Sequence, residues 1–332
     1  LIGKGYGSDS MTNNDRKILV LYNVAFTPDK EYLERLICSY GFTCDIKPTG
    51  ESVQEDYMDA EVIIGQPNPK YLKKAVKLKW IQLTSAGADH VADVNLYATD
   101  DVILTNASGV YGKPIAEHVF AMILSFNRNI IRYERNRQNC KWAPALPMRD
   151  LYGSTLCIVG LGDIGKEVAV RAKAFGAKVI AVKRSVGDCP PYVDELYPTD
   201  EIDRVLPQAD YLVLALPNTP ETKGILSEER IARIKPGAFI VNVGRGTAIC
   251  QEALIKALQD GRLAGAGLDV TDPEPLPEDN PLWKMPNVII TSHTSGFSKQ
   301  NWDRHARLIR ENLSRYVEGK PLINIVDFRK KY

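Results

Sequence analysis

Thr155 to Ser185 reads TLCIVGLGDIGKEVAVRAKAFGAKVIAVKRS, and the order of its apolar runs and glycines decides the fold. A short apolar run, Leu156 to Val159, meets Gly160, Gly162 and Gly165 in Gly-x-Gly-x-x-Gly order. Val168, Ala172 and Phe175 then recur at helical spacing, and a second apolar run spans Val179 to Val182. The pattern predicts strand, tight turn, helix, strand. Gly160 turns the chain sharply, Gly162 lets the backbone approach a pyrophosphate, and Gly165 lets the helix pack close to the sheet. The diphosphate would sit on the free N–H groups of a helix opening at Asp163 and Ile164. Glycines cluster in ordinary turns as well, so it is the flanking strands and helix that make this a dinucleotide site.

The end of the second strand refines the expectation. An NAD site usually places Asp or Glu about 20 residues past the glycines, to accept hydrogen bonds from the ribose hydroxyls. Lys183, Arg184 and Ser185 stand there instead. Two cations and a hydroxyl suit a 2′-phosphate, so NADP(H) is the preferred cofactor, with NAD(H) possible. A solvated basic loop is the alternative reading of the same residues.

The 332 residues suggest about two domains, each able to bury a core. A formal charge of +1 with mixed signs argues against a nucleic-acid partner. No apolar run approaches the roughly 18 residues of a membrane helix, and no signal peptide is visible. The six cysteines are scattered without a C-x-x-C pair, and Cys157 falls in a buried strand. A reducing cytoplasm fits that usage, and a metal site does not. Residues 1–10, LIGKGYGSDS, precede Met11 and read as an artificial remnant or a disordered leader.

Lys17 to Tyr22 reads as a strand and Asp29 to Tyr40 as an amphipathic helix. Val62 to Ile64, Trp80 to Leu83 and Val102 to Thr105 continue a β/α alternation, which predicts a parallel α/β unit. After the Trp80 strand, Thr84-Ser-Ala-Gly-Ala-Asp-His90 is either a plain turn or a loop whose amides meet an anion. His90 reads as a loop histidine. Pro114, Ile115, Val119, Met122, Phe126 and Ile130 predict one long helix running to Arg137, in which His118 is packed rather than catalytic. Tyr211 to Leu216, Ala238 to Val243, Gly265 to Val270 and Val288 to Thr291 are runs typical of strands covered on both faces. A final helix follows around Trp302 to Tyr316.

Three polar residues follow three of these strands: Arg245, Glu274 and His293. Ligands of an open parallel sheet bind outside the carboxyl ends of its strands, so the three share one crevice. Reduction of a 2-keto acid needs a hydride at the carbonyl carbon, a proton at its oxygen and a charge to hold the carboxylate. His293 backed by Glu274 supplies the acid, and Arg245 forks onto the carboxylate and polarises the carbonyl. Asp269 either accepts a hydrogen bond from the nicotinamide amide or is structural. Pro217, Thr222 and Val243 complete the expected cofactor contacts.

With VGLGDIG, LPNTPETKGIL, IKPGAFIVNVGRG, DVTDPEPLP and NPLWKMPNVIITSH in order, everything after Met11 resembles the D-isomer-specific 2-hydroxyacid dehydrogenase family. The resemblance implies an Arg, Glu, His catalytic set at Arg245, Glu274 and His293, carboxylate-binding amides at Ala86 and Gly87, and a nicotinamide contact at Asp269. It implies a flavodoxin-like substrate domain, residues 11–105 and 296–332, and a Rossmann NAD(P)-binding domain, residues 106–295, with a cleft between them. It also implies a homodimer joined through the cofactor domain, where the helix from Pro114 to Arg137 matches the joining element. Many members place Pro before the histidine, where this chain has Ser292. The Lys183-Arg184-Ser185 run resembles the NADPH-preferring glyoxylate/hydroxypyruvate reductase branch. The alternatives are a D-3-phosphoglycerate dehydrogenase and a dinucleotide-sensing corepressor resembling the C-terminal-binding proteins.

Overall fold

The structure, a computed structural model, describes residues 16–185 and 187–330. The expected leader, residues 1–10, and the first residues of the expected substrate domain, 11–15, lie outside the described residues. The chain divides into two compact units, one up to Ala107 and again from Lys299, the other from Ser108 to Ser298.

The first unit opens with β1 (Lys17–Tyr22), α1 (Lys30–Ser39), β2 (Thr43–Pro48), α2 (Gln54–Met58), β3 (Ala60–Gly65), α3 (Pro69–Leu72), β4 (Trp80–Gln82) and β5 (Ile103–Thr105). These strands form a parallel sheet in the flavodoxin-like order β2-β1-β3-β4-β5. Asp29 starts α1 by accepting the Tyr32 amide at 3.0 Å. Because side chains alternate along a strand, Leu19 and Ile63 face one apolar layer while Ile18 and Val62 face the other, with Leu33 and Ile37 of α1.

The second unit carries α4 (Gly112–Asn127), α5 (Ile130–Gln138), β6 (Thr155–Val159), α6 (Asp163–Ala174), β7 (Lys178–Val182), β8 (Glu195–Tyr197), α7 (Ile202–Val205), β9 (Tyr211–Leu214), α8 (Glu228–Arg233), β10 (Phe239–Asn242), α9 (Gln251–Gln259), β11 (Gly265–Leu268) and β12 (Val288–Ile290). Its parallel sheet runs β12-β11-β10-β9-β6-β7-β8, so the order reverses between β6 and β9. A doubly wound sheet opens its ligand crevice at that reversal. Leu156 and Val179 face α4 and α6, and Cys157 and Ile180 face α7, α8 and α9. Burial pushes the Cys157 thiol up to about 12, where it behaves as a small apolar group. The last helix, α10 (Asn301–Val317), returns to the first unit, where Ile309 and Leu313 join the layer beneath α1.

Two expectations need correcting. The single helix from Pro114 to Arg137 is two helices, because Asn129 takes a left-handed φ of 54°. Its side-chain amide donates to the Ala145 and Pro147 carbonyls at 2.8 and 2.7 Å, which holds the chain in that break. Strands β2 and β8 were not expected from apolar runs. Both are half-exposed edge strands without a buried run to announce them.

Candidate functional site

The glycine turn lies at the carboxyl end of β6. A Cβ added at Gly165 would run into the Gly160 carbonyl oxygen, so only glycine lets α6 start this close to the strand. At Gly162 an added Cβ would meet nothing within 4 Å, leaving the backbone open to a ligand. No side chain caps α6, so the amides of its first turn, at Asp163, Ile164 and Gly165, have no partner within the helix. The Asp163 carboxylate turns away from this cradle and accepts the Gly109 and Gly112 amides at 3.2 and 2.9 Å. Sequence reading missed that role, since the glycines lie more than fifty residues away.

Lys183, Arg184 and Ser185 are exposed at the end of β7. Arg184 is close enough to Glu221 to help hold its carboxyl below the ordinary range, behind the larger effect of the Thr219 hydroxyl. Glu221 belongs to the loop after β9, which Thr222 closes by donating to the Pro217 carbonyl at 2.6 Å. Asn218 of that loop accepts the Thr247 hydroxyl at 3.0 Å, which ties it to the turn carrying Arg245. Val243 is buried, and its amide donates to Leu214 at 3.1 Å.

Arg245, Glu274 and His293 follow β10, β11 and β12, adjacent parallel strands whose last residues Asn242, Leu268 and Ile290 stand in register. His293 Nδ1 lies 3.0 and 3.1 Å from the two Glu274 carboxylate oxygens. An ionised carboxylate can only accept, so Nδ1 carries the proton and Nε2 is left to exchange one with a ligand. Both side chains are nearly half exposed, at 48% and 42%. The Arg245 backbone carbonyl accepts the Asn242 side-chain amide at 2.9 Å, and its guanidinium donates to the Gly244 carbonyl at 3.0 Å. A Cβ on Gly246 would collide with the Thr271 carbonyl, so the arginine turn packs directly on the segment leading to Glu274.

Asp269 is 1% exposed. Its Oδ1 accepts the Thr291 hydroxyl at 2.5 Å and the Thr294 and Ser295 amides at 3.0 and 3.2 Å. Burial alone would raise its pKa, but the Ser295 and Thr291 side chains and these amides outweigh it and hold the carboxyl below its ordinary value. Thr291 was absent from the expected site, and only the fold brings it to Asp269.

In the first unit, the loop after β4 commits its carbonyls inward. Ser85 O accepts the Ala107 amide at 2.8 Å, Ala86 O the Asn106 side chain at 2.9 Å, and Gly87 O the Ser85 hydroxyl at 2.6 Å. In a trans peptide the N–H opposes the carbonyl before it, so the Ala86 and Gly87 amides turn the other way. His90 Nε2 lies 2.8 Å from Gln66 Oε1, a loop partner.

Residues 120–295 match the model of the D-isomer specific 2-hydroxyacid dehydrogenase NAD-binding domain. This chain belongs to that family. It is similar to a glyoxylate reductase of Korarchaeum cryptofilum, 34% identical over 284 residues that cover 83% of this chain and 81% of that protein. It is also similar to a D-3-phosphoglycerate dehydrogenase of Methanocaldococcus jannaschii, 33% identical over 84% of this chain but only 54% of that longer protein. Among solved structures it resembles an NADPH-dependent glyoxylate/hydroxypyruvate reductase from Sinorhizobium meliloti in complex with NADP and sulfate. That likeness has a TM-score of 0.80 and 26% identity, covering 96% of this chain and 100% of the other.

This 2-hydroxyacid dehydrogenase is therefore an NAD(P)-dependent oxidoreductase. Its own residues fit the dinucleotide: the open backbone at Gly162 and the uncapped start of α6 are what a pyrophosphate needs. Among the described residues, no helix is long and apolar enough to cross a membrane.

Proposed function

We propose that this dehydrogenase reduces a small 2-keto acid, glyoxylate or hydroxypyruvate, with NADPH as the preferred cofactor. We assign the unit from Ser108 to Ser298 to the nucleotide and the other unit to the substrate. The observation that carries the chemistry is the 3.0 Å contact between His293 and Glu274 beside the strand end of Arg245. NADPH, when bound, supplies the hydride. His293 donates the Nε2 proton to the carbonyl oxygen, and Glu274 keeps the ring oriented and stabilises its cationic form. Arg245 forks onto the substrate carboxylate and draws charge onto the carbonyl oxygen, and in the other unit the Ala86 and Gly87 amides are the carboxylate donors we assign. The cofactor residues are Gly160, Gly162, Asp163, Ile164, Gly165, Pro217, Thr222 and Val243. Asp269 holds the His293 turn and is also assigned as a nicotinamide contact, since a carboxylate accepts several donors.

Lys183, Arg184 and Ser185, exposed where an NAD enzyme keeps a carboxylate, support the NADPH preference. The relatives named as glyoxylate reductases support the substrate class. Six unpaired cysteines support a cytoplasmic setting. Exposed Ile130, Trp142, Leu146 and Tyr152 support a homodimer through the nucleotide unit.

A panel of 2-keto acids assayed with both reduced cofactors tests this reading. The highest kcat/KM is expected for glyoxylate or hydroxypyruvate with NADPH. A preference for 3-phosphohydroxypyruvate would move the assignment to D-3-phosphoglycerate dehydrogenase, and equal or better kcat/KM with NADH would overturn the cofactor. His293→Ala should lower kcat by about 10²–10⁴ while NADPH binding survives. An unchanged kcat overturns the role of His293.

A further inference from the structure

We propose that His118, on α4, is a positioning residue: through Thr291 and Asp269 it fixes the turn that presents His293. The inference rests on His293 being the proton donor of the proposed reaction.

The turn needs fixing. His293 has a φ of 53°, a left-handed conformation that is unfavourable for a non-glycine residue and persists only where its surroundings hold it. Asp269 provides most of that hold. Its backbone carbonyl accepts the His293 amide at 2.8 Å, and its carboxylate takes the next two amides, Thr294 at 3.0 Å and Ser295 at 3.1 Å to Oδ2. On the other side of the histidine, the Thr291 amide donates to the Leu268 carbonyl at 2.9 Å.

His118 completes this set from outside the turn. A hydroxyl has one proton, and Thr291 gives its proton to Asp269 at 2.5 Å. Its oxygen must therefore accept from His118 Nε2, 3.0 Å away, which fixes the protonated nitrogen of that ring. His118 donates to Thr291, Thr291 donates to Asp269, and each bond polarises the next in a site closed to water on the aspartate side. The same Nε2 stands 3.9 Å from Asp269 Oδ1. Close helix–strand packing sets the reach: a Cβ on Gly267 of β11 would lie 2.7 Å from Met122 Sδ. His118, one helical turn before Met122, thus stands over Asp269, two residues past Gly267.

The test has two readouts. In the cofactor-free protein, His118→Ala should speed amide hydrogen exchange at Thr294 and Ser295 by at least about tenfold, and His118→Gln, whose amide can still donate, should leave it near wild type. In turnover, H118A should lower kcat about 10- to 100-fold with the KM for NADPH retained, because the donor is misplaced while the cradle is untouched. Once His293 is already Ala, adding H118A should lower kcat no further. If H118A does not fold, Thr291→Val and Thr291→Ser carry the same comparison, with the serine retaining activity. Wild-type exchange and kcat in H118A, or an equal loss in H118Q, would overturn the inference. Loss in H293A without loss in H118A removes only this inference, whereas wild-type kcat in H293A removes the reaction assignment itself.

Discussion

The two ends of one crevice in the seven-stranded sheet are built by opposite means. At the β6 end the chain recedes: side chains are missing at Gly162, and the groups left open are the backbone amides of α6. At the β10, β11 and β12 end the chain crowds in, and a buried carboxylate, two hydroxyls and an imidazole hold one residue in a costly conformation. On the proposed function the difference follows from the task. A diphosphate is held by many weak, sequence-tolerant contacts, whereas a proton donor must be placed to a fraction of an ångström. The first end should therefore fail when atoms are added, and the second when a hydrogen bond is removed.

The sharpest way to break that contrast is Gly165→Ala. The added Cβ meets backbone that cannot rotate aside, so NADPH affinity should fall about a hundredfold by titration. Retained affinity would mean the cradle is not limited by space. Asp269→Asn probes the other end by removing an acceptor without changing volume, and should cost about 2–3 kcal/mol in denaturant unfolding. Acid should act alike. The Asp269 carboxyl is held below its ordinary pKa, so its stabilising contribution is complete above the carboxylate range of ~4 and is lost as the pH falls through that range and below. Amides 291 and 293–295 should lose exchange protection there before those in the interior of α6, and the reverse order would break the comparison. The smallest effect is expected from Arg184→Ala. It should lower kcat/KM for NADPH about tenfold and leave NADH nearly unchanged, the difference one exposed charge-assisted hydrogen bond makes.

The receding end was legible in the chain, because glycines between two apolar runs leave a local pattern that survives without tertiary contacts. The succession of β6, β7, β9, β10, β11 and β12 along the chain, and the positions of Arg245, Glu274 and His293 after the last three, were legible for the same reason. The crowded end was only half legible. Glu274 and His293 were expected as a pair, but Thr291, the clamp around Asp269 and the bond from His118 were not. Nothing local relates residue 118 to residue 291, and a histidine within a helical apolar pattern reads as packing. Asn129, which interrupts the expected helix, was hidden likewise, since its partners Ala145 and Pro147 lie beyond any helical period.

By itself the sequence determined a doubly wound nucleotide fold, a second parallel unit and the residue types proposed for hydride transfer, because periodicity and glycine spacing are properties of neighbouring residues. Only the tertiary structure decided which polar groups satisfy one another: that Asp163 turns to Gly109 and Gly112, and that Asp269 faces the His293 turn. A buried donor or acceptor must find its partner wherever the packed elements bring one within about 3 Å, and separation along the chain places no limit on that search.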